Sequence, residues 1–232
     1  MYKFFAKSLL ITLAVGATSL VAAPLTFTSG GGAQGTKVLF DGNVATNFVA
    51  GLSSAATFSL LSVENSGKKW NFQVVVEETG SVNARVAGLG FVDINPDVNG
   101  GAVTNAGGTD WQFNFTGNNL QFPNQFGALE ACFIDNNNNC NGGGNGGVNN
   151  GSSATVLFNL TFASSQSSIT FNGMGVRYQS IVGVTAGTSG TGSDTGTGPN
   201  IPVLENPVPE PATMGLMGLS LAALAAVSRR RK

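Results

Sequence analysis

Three stretches alternate apolar and polar residues with a period of two, and this alternation constrains the fold more than any other feature. In "WQFNFT", Trp111, Phe113 and Phe115 fall on one face, with Asp110, Gln112 and Asn114 on the other. "KWNFQVVVEE" sets Trp70, Phe72, Val74 and Val76 against Asn71, Gln73 and Glu77, and "TVLFNLTF" aligns Val156, Phe158, Leu160 and Phe162. Successive side chains of a strand point to opposite faces, so this spacing predicts strands with one buried face each. Further strands are expected over 25–29, 36–41, 56–64, 86–94, 168–172 and 174–183. Turn signals separate them at Ser66-Gly67, Asn99 to Gly101 and Asn141 to Gly147. No stretch of the body holds a 3.6-residue period. Strands with one apolar face need a second sheet to cover them. The expected class is therefore all-β, a single antiparallel β-sandwich over 24–184, with jelly-roll and immunoglobulin-like topologies both open.

The surface of such a body carries little charge. Only 10% of the 232 residues are charged, against about 25% in an average domain. Six of the eleven basic residues lie at the two ends: Lys3, Lys7, Arg229, Arg230, Arg231 and Lys232. Without those ends five basic residues face twelve acidic ones, a net charge of −7. A body of that charge has no electrostatic basis for binding nucleic acid or anionic lipid.

The N-terminal basic residues belong to an export signal. Met1 to Lys7 holds two lysines, Ser8 to Val21 is apolar, and small residues follow at Ala22 and Ala23. This order predicts a secretory signal peptide over 1–23, its apolar run being shorter than the ~20 residues of a membrane span. Export in turn predicts that Cys132 and Cys140 form a disulfide, with free thiols as the alternative. Two thiols and no His leave too few soft ligands for a structural zinc.

From Thr185 the alternation stops. "TAGTSGTGSDTGTGPNIPVLENP" has almost no apolar content to offset the entropy of ordering, so a flexible linker is expected over 185–206. Beyond it, Ala212 to Val227 is uncharged and would make a transmembrane helix of about 24 Å. The four basic residues behind it are expected to stay in the cytoplasm.

Pro209-Glu210-Pro211, the short apolar helix and Arg229-Arg230-Arg231, in that order at the terminus, resemble the PEP-CTERM sorting signal of Gram-negative bacteria. The resemblance covers 207–232. It implies processing by exosortase, transient insertion in the inner membrane, and delivery to the cell surface or an exopolysaccharide (biofilm) matrix. Within the body, "NARVAGLGF", "FPNQFGALEACF", "CNGGGNGGV" and "GVRYQSI" resemble the blocks of the cistern family of PEP-CTERM proteins. That resemblance implies secretion and a β body, and no activity.

No enzyme is expected. The absence of His removes Ser-His and Cys-His nucleophile systems, and Glu77 and Glu78 point to opposite faces of one strand. No catalytic residue is assigned. No cofactor is expected either, with calcium the one candidate: "DINPDVNGG" places Asp93, Asn95 and Asp97 at alternate positions, but Val98 and Thr104 stand where an EF-hand needs Gly and Glu. Turn formation is the preferred account of these residues. The body therefore reads as a non-enzymatic surface or matrix protein. The alternative is a carbohydrate-binding module, calcium-assisted or not, with extracellular polysaccharide as partner. Both tryptophans are in phase with apolar faces, which leaves Tyr178 as the aromatic to inspect for exposure.

Overall fold

A computed structural model describes residues 24–31, 35–115, 120–123, 126–135, 140–141 and 146–198. The chain divides into two units, Met1–Pro199 and Asn200–Lys232, and all described residues lie in the first. The expected signal peptide, terminal helix and sorting motif fall outside the described residues.

The strands are β1 (Leu25–Thr28), β2 (Thr36–Phe40), β3 (Asn43–Val44), β4 (Asn47–Phe48), β5 (Ser54–Glu64), β6 (Lys69–Glu78), β7 (Arg85–Phe91), β8 (Ile94–Asn95) and β9 (Gly100–Asn105). They continue as β10 (Trp111–Asn114), β11 (Gln121–Phe122), β12 (Gly127–Ala128), β13 (Ala131–Asp135), β14 (Val148–Asn149), β15 (Ser153–Thr161), β16 (Ser168–Phe171), β17 (Met174–Gln179) and β18 (Ser189–Gly198). The described residues are nearly all β, and the strands pair antiparallel, as the alternation requires. Each of the nine segments expected as strands contains one.

The main sheet runs β10-β13-β7-β17-β18-β2-β5-β6-β15-β9, with β14 paired to β7 and β3 to β18 and β4. Its end strands β9 and β10 lie against each other, so the sheet curls almost into a barrel. A small sheet, β1-β16-β8, forms the second layer. Its inward side chains Phe27, Ile94, Ile169 and Phe171 are fully buried. The Phe171 ring lies 4.8 Å from Phe91 and 5.7 Å from Phe58, and Phe27 lies 5.0 Å edge-on from Phe72. These offset and edge-on contacts are the preferred aromatic geometries, so one phenylalanine cluster joins the layers.

Strand β6 shows how the pattern becomes packing. Trp70, Phe72, Val74 and Val76 are buried in turn while the residues between them are half-exposed. Its register with β15 places Phe72 opposite Phe158 and Val74 opposite Val156, so both strands bury the same face. A one-residue slip would expose the whole set.

Two expectations are corrected. The Asn99–Gly101 turn signal runs into a strand, since Gly100 and Gly101 open β9 and pair with Thr161 and Leu160. The stretch expected as a flexible linker from Thr185 contains β18, which lies between β17 and β2. Its two ladders supply the backbone hydrogen bonds, and its glycines let it enter. A Cβ at Gly192 would stand 1.8 Å from the Asp41 carbonyl oxygen, and one at Gly190 would stand 2.4 Å from that of Asn43. Composition describes what side chains contribute, and here the stabilisation comes from the main chain.

Candidate functional site

Residues 83–91, 126–133, 146–148 and 175–181, far apart in sequence, come together around β7, which pairs with β13, β14 and β17. Strand β7 is buried along its whole length because it is covered on both sides. Val86, Leu89 and Phe91 enter the main core. Over the other face lies a satellite cluster of Phe122, Leu129, Cys132, Ile134 and Cys140, with Leu120 and Phe126 packed against it. Glycines make room for it: a Cβ at Gly90 would come 2.7 Å from Leu129, and one at Gly175 would come 2.1 Å from Phe126. The Cys132–Cys140 disulfide, expected from spacing and compartment, is formed inside this cluster.

Two buried arginines reach main-chain carbonyls at Asn141 and Gly146. Arg177 Nη1 donates to the Asn141 carbonyl, Arg85 Nη1 donates to the Gly146 carbonyl, and Arg85 Nη2 donates to Gln179 Oε1 at 2.8 Å. Burial pulls the Arg177 guanidinium below its ordinary pKa. These cations bind loop carbonyls, so their visible work is structural.

Four carboxylates have similar employment. Glu78, only 3% exposed, accepts the Gly80 N–H at 3.2 Å and the Gly151 N–H at 3.1 Å. Glu130 accepts the N–H groups of Ile94 and Val98, Asp194 that of Met174 at 3.0 Å, and Asp41 that of Ser193 at 3.3 Å. Burial pushes all four up from their ordinary values, and the amide hydrogen bonds only partly oppose it. Glu130 is raised further by Asp97 and Asp93, and Asp194 by Asp41. Each ties one chain segment to another through backbone amides. Sequence alone pointed to none of them as a site, although Glu78 is in phase with Trp70, Phe72, Val74 and Val76 and so had to face inward. Its neighbour Glu77 faces outward and pairs with Lys37 at 2.7 Å.

Glu130 also bears on the expected calcium loop. Asp93 and Asp97 are exposed, and Asp93 Oδ2 accepts a hydrogen bond from Asn172 Nδ2 at 2.6 Å. Asn95 lies on β8 before a cis proline and pairs with Thr170. The Ile94 and Val98 amides of this loop donate to the Glu130 carboxylate. Among the described residues no group of three or more His, Cys, Asp and Glu is placed to hold a metal ion.

Tyr178 is fully buried, correcting its expected candidacy for exposure: both faces of β17 are covered, and its hydroxyl meets Ser54 Oγ at 2.8 Å. Trp70 and Trp111 are buried as their phase requires. Among the described residues, open clefts occur at two places on the surface. One of about 380 Å³ is lined by Asn83, Arg85, Asn149, Asn150 and Ser180. The other, about 420 Å³, lies beside Phe126 and Asp194.

Neither a curated protein nor a solved structure matches the chain. Residues 207–232, which hold Pro209, Glu210, Pro211, Arg229, Arg230 and Arg231, match the model of the PEP-CTERM protein-sorting motif. The chain therefore carries the C-terminal signal of an exosortase-targeted protein, exported and sorted to the cell envelope.

Proposed function

We propose that the first unit is a non-enzymatic domain for display at the cell surface or in the exopolysaccharide matrix. On this reading the signal peptide of residues 1–23 directs export. Ala212 to Val227 then holds the chain transiently in the inner membrane, and exosortase removes the terminal helix. The match at 207–232 supports the route. The non-enzymatic part rests on one observation: the four carboxylates with raised pKa values all accept backbone N–H groups, as staples between segments do. Catalytic carboxylates are tuned by similar burial but are aimed at a substrate.

The test compares a host with and without its exosortase gene. The protein is expected in the surface or matrix fraction of the parent, without its terminal helix, and in the membrane fraction of the deletion strain with Arg229 to Lys232 retained. The same distribution and mass in both strains would overturn the sorting route. Turnover of host polysaccharide by the purified protein, lost in Glu130→Gln or Asp194→Asn, would overturn the non-enzymatic part.

A further inference from the structure

We propose that the open cleft beside the C-terminal end of β7, the N-terminal end of β17 and the middle of β18 is a binding site for a neutral saccharide. Its volume of about 420 Å³ falls in the ordinary range for small-ligand clefts. One wall is apolar. Phe126, carried by the turn between β11 and β12, lies against the bare backbone of Gly175, and Val92 beside it is 43% exposed. The other wall is lined with oxygen: Asn43, Thr191, Ser193 and Asp194.

These polar groups are held in place by the fold. Asp194 sits at the register shift between β18 and β2, and its Oδ2 accepts the Met174 N–H at 3.0 Å. The Ser193 N–H is bound to Asp41 Oδ1, and Thr191 pairs with Asn43 across β18 and β3. An aromatic side chain opposite fixed hydrogen-bonding groups matches the two sides of a pyranose, one of C–H groups and one of hydroxyls. Charge narrows the class. No Lys or Arg lines the cleft among the described residues, and Asp194 with Asp41 beside it gives it negative potential. Phosphate, sulfate and uronate ligands are disfavoured by that sign.

The biological sense of this site rests on delivery to the surface or matrix, but its test does not. The protein as purified from its host would be titrated by calorimetry with cellotetraose, xylotetraose and chitotetraose, and with tetragalacturonate as the anionic comparison. At least one neutral tetrasaccharide is expected to bind saturably, with Kd of about 1 mM or tighter. Phe126→Ala and Ser193→Trp should each weaken it about tenfold or more, with far-ultraviolet circular dichroism unchanged. Ser193 is exposed, so Ser193→Trp fills the cleft from outside the core and carries the test if Phe126→Ala loosens the hairpin. No saturation by any neutral tetrasaccharide at about 10 mM, an unchanged Kd in Ser193→Trp, or equal binding of tetragalacturonate would each overturn the proposal. Fractionation of the host reads the sorting route separately, so either result can fail alone.

Discussion

The hydroxyls of Tyr178 and Ser54 lie 2.8 Å apart inside the core, joining positions 124 residues apart. Removing either leaves the other buried without its partner, which costs about 1–3 kcal/mol. Tyr178→Phe and Ser54→Ala are each expected to lower the urea midpoint. The double variant should cost less than the sum of the two, because the second change removes a group already stranded. Strict additivity would show that the pair does not interact.

Stability should rise as the pH falls from 7 towards about 5. Glu78, Glu130, Asp41 and Asp194 are all raised in the folded state, chiefly by burial, from ordinary values of 4.5 for the glutamates and 3.8 for the aspartates. The folded protein therefore binds protons more readily than the unfolded chain. That contribution is fully present below the ordinary values and is lost as pH rises through the raised ones. Urea midpoints at pH 5 and pH 7 check the sign, and a lower midpoint at pH 5 would refute it.

The disulfide closes a loop of nine residues, which the chain-entropy model values at about 2.6 kcal/mol. Native protein should resist alkylation at Cys132 and Cys140 until reduced. Reduction is expected to speed amide exchange in residues 126–135, over the satellite cluster, more than in β6 or β15. Uniform acceleration would mean that the satellite cluster is not a separate unit of stability.

Gly192→Ala discriminates a strand from a linker. In β18 the new Cβ would meet the Asp41 carbonyl at 1.8 Å, a backbone contact that rotamer changes cannot relieve. A loss of about 2 kcal/mol or more is expected, with amide protection lost across 189–195. A neutral substitution would place 185–206 back among linkers.

The paired prolines of the sorting motif should keep Glu210 out of the terminal helix, since each ring blocks a helical turn and biases the preceding residue to extended backbone. Pro209→Ala with Pro211→Ala is expected to extend the helix through the motif and retain the protein in the membrane fraction. Release equal to the parent would refute this account.

Period-two alternation made β6, β10 and β15 legible, because half-buried strands write their two environments directly into sequence. The same phase placed Trp70 and Trp111 inside and would have placed Glu78 there too. The terminal motif was legible for a different reason: an enzyme reads it as a linear signal, so its information needs no tertiary partner. The clefts were not legible, because Phe126 and Asp194 are 68 positions apart and only the glycine surface of β17 brings the hairpin over them.

What the sequence determined by itself was a secreted-type, low-charge chain of one-faced strands with a cysteine pair and a sorting signal, since these are local patterns of side chains. Tertiary structure decided where β18 goes, why Tyr178 is covered, and which carboxylates become staples. Each depends on a neighbour far along the chain. Gly190 and Gly192 are permissive only because Asn43 and Asp41 stand against them, and Glu78 is a staple only because Gly151 offers its amide. A composition of Gly, Thr and Ser reads as disorder until two flanking strands offer it hydrogen bonds, and those strands are a property of the fold.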